Sequence, residues 1–426
     1  MSDAGPPQGA AAPLEGGAAR TATSFGADIY QRLGVPRRIN AAGTLTRLGG
    51  SLMAPEVLQA MVDAAGASVD MAELQTAASG VIANATGAQA GIVTSGAAAA
   101  LTLATAACLA RWDVARMAAL PDTAAMPNRV LMARTHRNSY DHAVRLAGAQ
   151  IVDIGHNDRG TGAGVRGLEA WEITAAIDAN TVALVFVATP HTVADLPLAI
   201  DTLHAHGLPV IVDAAAQLPP RSNLRLFIEA GADLVLFSGG KAIGGPQSSG
   251  ILAGRRDLVG SALVQMMDMD VSPRTWSPSE LVDRAALQGI PHHGIGRGFK
   301  VGKEEIVGLL TALERFVARD EDAAASGLTQ RLQAIAIALA AEPAIVARLI
   351  PAGQDTPVPL LELSVKGSAH ALSQRLQLGD PPVHLGERLA DAGILILNPQ
   401  TLRPEDDTVL VRCLIEASRS KTCNTT

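Results

Sequence analysis

Short apolar runs recur along the first 260 positions, separated by stretches whose apolar residues fall at helical spacing. Residues 91–94, 130–133, 150–154, 181–187, 210–212 and 233–237 read as strands. Residues 97–109, the segment after His136, 168–178, 200–206 and 224–230 read as helices between them. Strands apolar on both faces, alternating with helices, predict a mainly parallel sheet covered on both sides. Ahead of this unit, 24–33 reads as a helix and 37–50 as an extended, glycine-punctuated segment. A helix over 55–65 has Pro55 at its permitted first turn, and 70–84 places Met71, Leu74, Ala78 and Val81 on one stripe. Residues 260–298 read as irregular, with an insertion over 263–294, and 303–317 as an amphipathic helix. Beyond it, 360–365, 394–397 and 408–415 read as strands, with helices near 370–376 and 384–392. The expectation is an α/β fold in three parts. Residues 1–24 form a tail, 25–299 a large domain opening with an arm over 25–70, and 300–420 a smaller C-terminal α/β domain.

Composition narrows the function without changing that outline. The 426 residues are 48% apolar and 18% charged, enough for a large core with a smaller satellite. Aromatics are only 3%, so helices are expected to pack closely through Ala and Gly. A net charge of −7 sets aside a general nucleic-acid surface, which needs a basic stripe. Cys108, Cys413 and Cys423 show no metal-ligand spacing, so no metal is expected and a reducing, cytoplasmic compartment is the default. The first 20 residues lack the basic and apolar regions of a signal peptide, and their Pro/Gly/Ala content reads as a disordered tail. Residues 74–110 carry no charge and are long enough to span a bilayer. Gly80, Gly87, Gly91 and Gly96 interrupt them and no aromatic belt flanks them, so a buried helix–loop–helix is expected instead.

Candidate chemistry gathers at one edge of the expected sheet. In open α/β sheets ligands bind outside the carboxyl ends of the strands, and Ser95, His136, Thr189, Asp213 and Lys241 all follow such ends. Pyridoxal phosphate needs a lysine for its Schiff base, a carboxylate to keep its ring nitrogen protonated, a phosphate cup and a flat group on its ring. Lys241, Asp213, the Ser95–Gly96–Ala97 turn with Ser238, and His136 supply those in turn. The strand–Gly turn–helix at Ser95–Gly96–Ala97 offers free N–H groups and a helix dipole to an anion. Taken singly, each has a plainer reading: a surface lysine, a capping acid, a polar loop histidine, a serine closing its own turn. All four plainer readings would have to hold together for the site to vanish.

VDAAAQ, followed by SGGKAIGGPQSSGIL with Lys241 28 positions after Asp213, resembles the fold-type I pyridoxal-phosphate superfamily. INAAGTLTRLGG, MAELQ, TGAQAGIVTSGAAAAL, HRNSYDHAVRLAGA and IGRGFKVGKEEIVGL narrow the resemblance to its selenocysteine synthase-like family. Within that family the likeness is to the group containing D-glucosaminate-6-phosphate ammonia-lyase, and it runs from about residue 34 to 414. The resemblance implies Lys241 as the Schiff-base lysine, Asp213 as the pyridinium partner and His136 as the stacking group. It places Ser95, Gly96, Ala97 and Ser238 near the phosphate and Gln217 near the cofactor. It also implies a homodimer or higher homo-oligomer with sites at the interface, 245–248 reaching a neighbour's phosphate cup. The chain departs from the selenium transferases in lacking a tRNA-gripping N-terminal domain, in having RGFK where they look richer in arginine, and in the 263–294 insertion.

These readings converge on a lyase acting on a small amino acid or amino sugar acid and releasing ammonia and a 2-oxo acid by β-elimination. Arg297 and Lys300 are candidate anchors for a substrate carboxylate or phosphate, with His191 and His292 as weaker candidates for the acid serving the leaving hydroxyl. A racemase, aldolase or aminotransferase on the same scaffold stays open, because the broken bond depends on substrate geometry. A tRNA-dependent selenium transferase and a non-catalytic binding module are the remaining alternatives. An intact Lys241–Asp213 pair counts against the last.

Overall fold

The computed structural model describes residues 27–158, 165–353 and 356–419. The expected tail and Cys423 lie outside them. In chain order the strands are β1 (Ile39–Ala41), β2 (Ala90–Thr94), β3 (Arg129–Ala133), β4 (Gln150–Ile154), β5 (Thr181–Val187), β6 (Val210–Asp213), β7 (Leu234–Ser238), β8 (Gly250–Gly254), β9 (Ile345–Ile350), β10 (Leu360–Val365), β11 (Val383–Leu385) and β12 (Ile394–Leu397). Seven form the main sheet in the order β2-β8-β7-β6-β5-β3-β4. The last five of these run parallel to one another. β8 runs antiparallel to both β2 and β7, so those two point the same way. Six strands therefore present their carboxyl ends at one edge.

Sequence explains why these segments are sheet. TVALVFV in β5 is buried almost throughout, and β-branched residues fit a pleated surface covered on both faces. The helix Ala97–Ala110 is buried on every side from Ala100 onward and packs on the helix Arg256–Met266 and on the sheet. Small side chains allow that approach, which accounts for the charge-free stretch. Among the described residues no helix is long and apolar enough to cross a membrane. The helix Met71–Thr86 starts where Asp70 accepts from the Ala72 and Glu73 N–H groups at 2.7 and 3.0 Å, a cap worth about 1 kcal/mol.

Two hydrophobic cores are present. The first surrounds the seven-stranded sheet. The second collects Leu332, Leu339, Leu361, Leu372, Leu395, Leu410 and their neighbours. The helix Lys303–Ala318, expected to open the second domain, packs instead into the first core through Ile306, Leu309, Leu313 and Phe316. Ile39 and Ala41 of the expected large-domain arm belong to the second core, where β1 pairs in parallel with β11.

Several local readings are overturned. Residues 408–415 are part of the helix Asp407–Arg419, because burying Leu410 and Leu414 four apart on one face outweighs their β-branched neighbours. Residues 384–392 are not helical. Val383–Leu385 is a strand because β1 arrives to pair with it, and only a short 3-10 turn follows at Ala390–Ala392. The irregular reading from 260 is corrected by the helix Arg256–Met266. The remainder, through 294, has no helix or strand but buries Leu281 and Leu287 on the first core. β8, β9 and the helix Glu321–Leu339 had no counterpart in the sequence reading.

Candidate active site

The carboxyl edge of the sheet brings Ser95, His136, Asp213 and the Ser238–Lys241 segment to one side of the molecule, at the ends of β2, β3, β6 and β7. Asp213 closes β6 half-buried, and its carboxylate accepts one hydrogen bond, from the Ala215 N–H at 3.0 Å. Desolvation raises its pKa against the opposing pull of that bond and of Lys241. Burial lowers the Lys241 ammonium, and Asp213 partly offsets this. Each group is thus pushed toward its neutral form by burial and toward its charged form by the other. No ion pair joins them, and neither has another ionic partner among the described residues.

His136 is buried at the start of the loop after β3. Its Nδ1 accepts from the Val187 N–H at 3.3 Å, so a neutral ring carries its proton on Nε2. The Phe186 ring meets it edge-on, with centroids 4.6 Å apart and planes at 79°, which fixes the imidazole plane. Burial lowers its pKa to about 4, leaving it neutral above that pH.

Gly96, with φ of 131°, caps the helix Ala97–Ala110 without any side-chain hydrogen bond. Only glycine adopts that conformation cheaply, and the first N–H groups of the helix have no partner within it. β8 begins beside them at Gly250, where an added Cβ would lie 2.5 Å from the Gly96 carbonyl carbon and 2.7 Å from the Ala97 nitrogen. The Ser95 hydroxyl donates to the Phe299 carbonyl at 2.7 Å, so its proton is committed to the Ile295–Phe299 segment. Ser238, half-buried, ends β7 opposite Gly250. Gln217 is half-buried after β6, its N–H on the Ala214 carbonyl at 3.1 Å and its carbonyl accepting from Asn223 Nδ2 at 2.7 Å.

This donor set fits pyridoxal phosphate. It has an acid that lacks an ion-pair partner, a lysine whose pKa burial lowers, a helix start capped without a side chain for an anionic tail, and a neutral flat ring.

The expected substrate anchors are less well placed. Arg297 Nη2 donates to Asp268 Oδ2 at 2.5 Å, so its charge is already matched. Asp268 is in turn held below the usual carboxylate range by the Asp270 N–H first and by Arg297 second. Lys300, His191 and His292 are exposed loop residues. A cleft of about 540 Å³ does open at Lys241, between the lysine loop, the arm at Thr44, Ser51 and Leu52, and the Pro357–Pro359 segment just before β10. It does not take in Asp213, His136 or Ser95. The sequence reading missed Ser51, whose N–H donates to the Gly240 carbonyl at 3.0 Å and whose hydroxyl donates to the Lys241 carbonyl. Its signal in the chain is the glycine-punctuated INAAGTLTRLGG stretch just before it.

No family model matches the chain. It is 31% identical to a D-glucosaminate-6-phosphate ammonia lyase from Salmonella typhimurium, over 91% of this chain and 97% of that one. It is 32% identical to a 5'-C-glycyluridine monooxygenase-decarboxylase from a Streptomyces species, over 91% of each. An L-seryl-tRNA(Sec) selenium transferase from Desulfovibrio desulfuricans matches more weakly, at 26% over 52% of this chain and 48% of that one. The solved structure of a D-glucosaminate-6-phosphate ammonia-lyase superposes with a TM-score of 0.76 at 30% identity, covering 92% of this chain and 98% of that one.

Proposed function

The chain belongs to the selenocysteine synthase-like family of fold-type I pyridoxal-phosphate enzymes, and from that premise we propose that Lys241 carries the cofactor for β-elimination from a small amino acid or amino sugar acid. It is an enzyme of the pyridoxal-phosphate-dependent lyase type. The observation that carries the assignment is that Lys241 and Asp213 follow the ends of adjacent strands at one sheet edge, both partly buried and neither with an ion-pair partner among the described residues.

When bound, pyridoxal phosphate supplies a protonated ring that withdraws electrons from the substrate's α-carbon. Asp213 would hold the ring-nitrogen proton and so gain the cation it otherwise lacks. The N–H groups at the start of the helix Ala97–Ala110 would hold the phosphate, with Ser238 beside them, and Gln217 would line the cofactor. His136, neutral and fixed by Val187 and Phe186, would supply the flat group for the ring. The Lys241 amine would take the α-proton of the substrate; its lowered pKa suits it to a general base. A β-hydroxyl leaves with a proton as water. A second water then hydrolyses the remaining imine, giving ammonia and a 2-oxo acid.

We read the exposed apolar residues Tyr30, Leu33, Leu58 and Val62 of the arm and the following helix as the contact with a second copy of the chain.

A second reading, loss of the α-carboxylate instead of the α-proton, is favoured by the 32% identity to a relative named as a decarboxylase. Incubating the cofactor-loaded enzyme with a panel of D- and L-amino acids and amino sugar acids separates the readings. Ammonia with an equal amount of 2-oxo acid is the expected result. Carbon dioxide without prior loss of the α-proton selects the second reading, and inverted enantiomer without ammonia overturns both.

A further inference from the structure

β7 ends at Ser238, and the chain turns through Gly239 and Gly240 to reach Lys241. An added Cβ at Gly240 would lie 2.6 Å from Gln247 Cα, so the turn sits flat on the segment that follows it. Glycine permits that approach but leaves the backbone angles ahead of the lysine to be set by hydrogen bonds.

Those bonds can be traced carbonyl by carbonyl. The Gly239 carbonyl accepts from the Gly245 N–H at 2.9 Å, and the Lys241 carbonyl from the Gly244 N–H at 3.0 Å, both within the loop. The Gly240 carbonyl takes its partner from the arm, the Ser51 N–H at 3.0 Å. The Ser51 hydroxyl donates to the Lys241 carbonyl, using its second lone pair. The Gly240 and Lys241 carbonyls belong to the two peptide planes that flank the Lys241 Cα. Peptide units are rigid, so holding both planes holds φ and ψ of Lys241, and with them the direction of its Cα–Cβ bond. One residue of the arm grips both.

The approach of Ser51 is itself built. Gly50 has φ of 71°, and a Cβ there would lie 2.8 Å from the Gly240 carbonyl oxygen. The Thr46 carbonyl accepts from Gln247 Nε2 at 2.8 Å, a second attachment of the arm to the same loop. Ser51 and Lys241 both line the cleft, whereas Asp213, His136 and Ser95 do not. The direction of the lysine stem therefore governs how the sheet edge is connected to the cleft.

We propose that Ser51 is a positioning residue for Lys241: by holding the peptide planes on both sides of it, Ser51 sets the direction of the lysine stem and so the place of its amine relative to Asp213 and the cleft. The proposal rests on the reading of Lys241 as the reacting lysine and adds a residue of the arm on which its reactivity depends. Burial lowers the Lys241 pKa, and Asp213 offsets this only in part. A stem released from its direction would gain water or approach Asp213, and either change raises that pKa.

Two measurements on the wild type, Ser51→Ala and Ser51→Thr test this. The first is the pH profile of Lys241 acylation by acetic anhydride in the cofactor-free chain, read by peptide mass spectrometry with the exposed Lys366 as internal standard. The midpoint of the profile should rise in Ser51→Ala and return in Ser51→Thr, which keeps the hydroxyl. The second is the rate at which the visible band appears when pyridoxal phosphate is added to the same samples. It should fall about tenfold in Ser51→Ala, the worth of one hydrogen bond, and recover in Ser51→Thr. The thermal midpoint should hold, because the Gly244 N–H still covers the Lys241 carbonyl. Ser51→Cys, whose thiol is a weaker donor, should fall between the two and carries the test where Ser51→Ala folds poorly. An unchanged acylation profile in Ser51→Ala overturns the proposal whatever the thermal midpoint does, and so does a shifted profile that Ser51→Thr does not restore. A wild type that gives no band sinks the lysine assignment alone, since the acylation profile is read without cofactor.

Discussion

Asp213 and Asp233 stand at opposite edges of the same sheet, one ending β6 and the other immediately preceding β7. Asp233 is buried and satisfied. It accepts from the Val210 N–H at 2.8 Å and from Arg255 Nη1 at 3.1 Å, and it pairs with His204 Nε2 at 2.9 Å. Asp213 accepts from one backbone N–H and is left with a raised pKa and a lysine that does not reach it. Two carboxylates on adjacent strands thus differ in whether the fold completes their hydrogen bonding. A finished network holds the amino edge together, whereas the unfinished one at the carboxyl edge leaves room for a cation supplied from outside.

The contrast can be broken most forcefully at Lys241. Lys241→Ala should abolish the visible band of the cofactor-loaded protein and lower turnover by about 10⁴-fold or more, since covalent attachment and proton transfer go together. An unchanged absorbance spectrum in the variant would sink the assignment. Asp213→Asn should lower turnover by about 10²–10³-fold, as loss of one preorganised electrostatic partner does, while leaving the fold intact by circular dichroism.

Stability sharpens the comparison because the two acids should act with opposite signs. The folded apoenzyme holds the Asp213 proton to higher pH than the unfolded chain does. It therefore binds more protons in that window, and stability falls as pH rises through it. At pH 7 the Asp213→Asn apoenzyme should then be at least as stable as wild type in a urea titration, and a lower midpoint would contradict this. Asp233→Ala should instead lose about 1–3 kcal/mol, because it leaves the buried Val210 N–H without an acceptor, while Arg255 keeps Asp257. Its turnover per folded molecule should stay near wild type. The smallest effect belongs to His204→Gln. The histidine is partly exposed, so its removal should cost under about 1 kcal/mol by the same titration.

The carboxyl edge was legible in the sequence because its signals are local. Apolar runs end on Asp213, or on the Ser–Gly–Gly–Lys that closes β7, and a glycine opens the helix after β2. Elements defined by distant partners were not legible. β11 is a strand because β1 crosses to it, and GILAG of β8 carries two glycines and no alternation, its place set by β2 and β7 on either side. The match of Arg297 to Asp268 depends on how 267–294 folds back, and no spacing in the chain announces it. The contact between Arg38 and His384 was likewise invisible until β1 reached β11.

The short strand β1 also dictates an order of events during synthesis. Asn40 reaches its bond to Thr401 across a separation of 361 residues. At ribosomal speeds of 5–20 residues per second, roughly 20–70 s separate the making of one partner from the other. Through that interval Ile39 and Ala41 have no strand to join, while the seven-stranded sheet, complete once Gly254 has emerged, can already close. The second core is therefore the last part of the protein to assemble, and it assembles around a strand that was among the first to leave the ribosome.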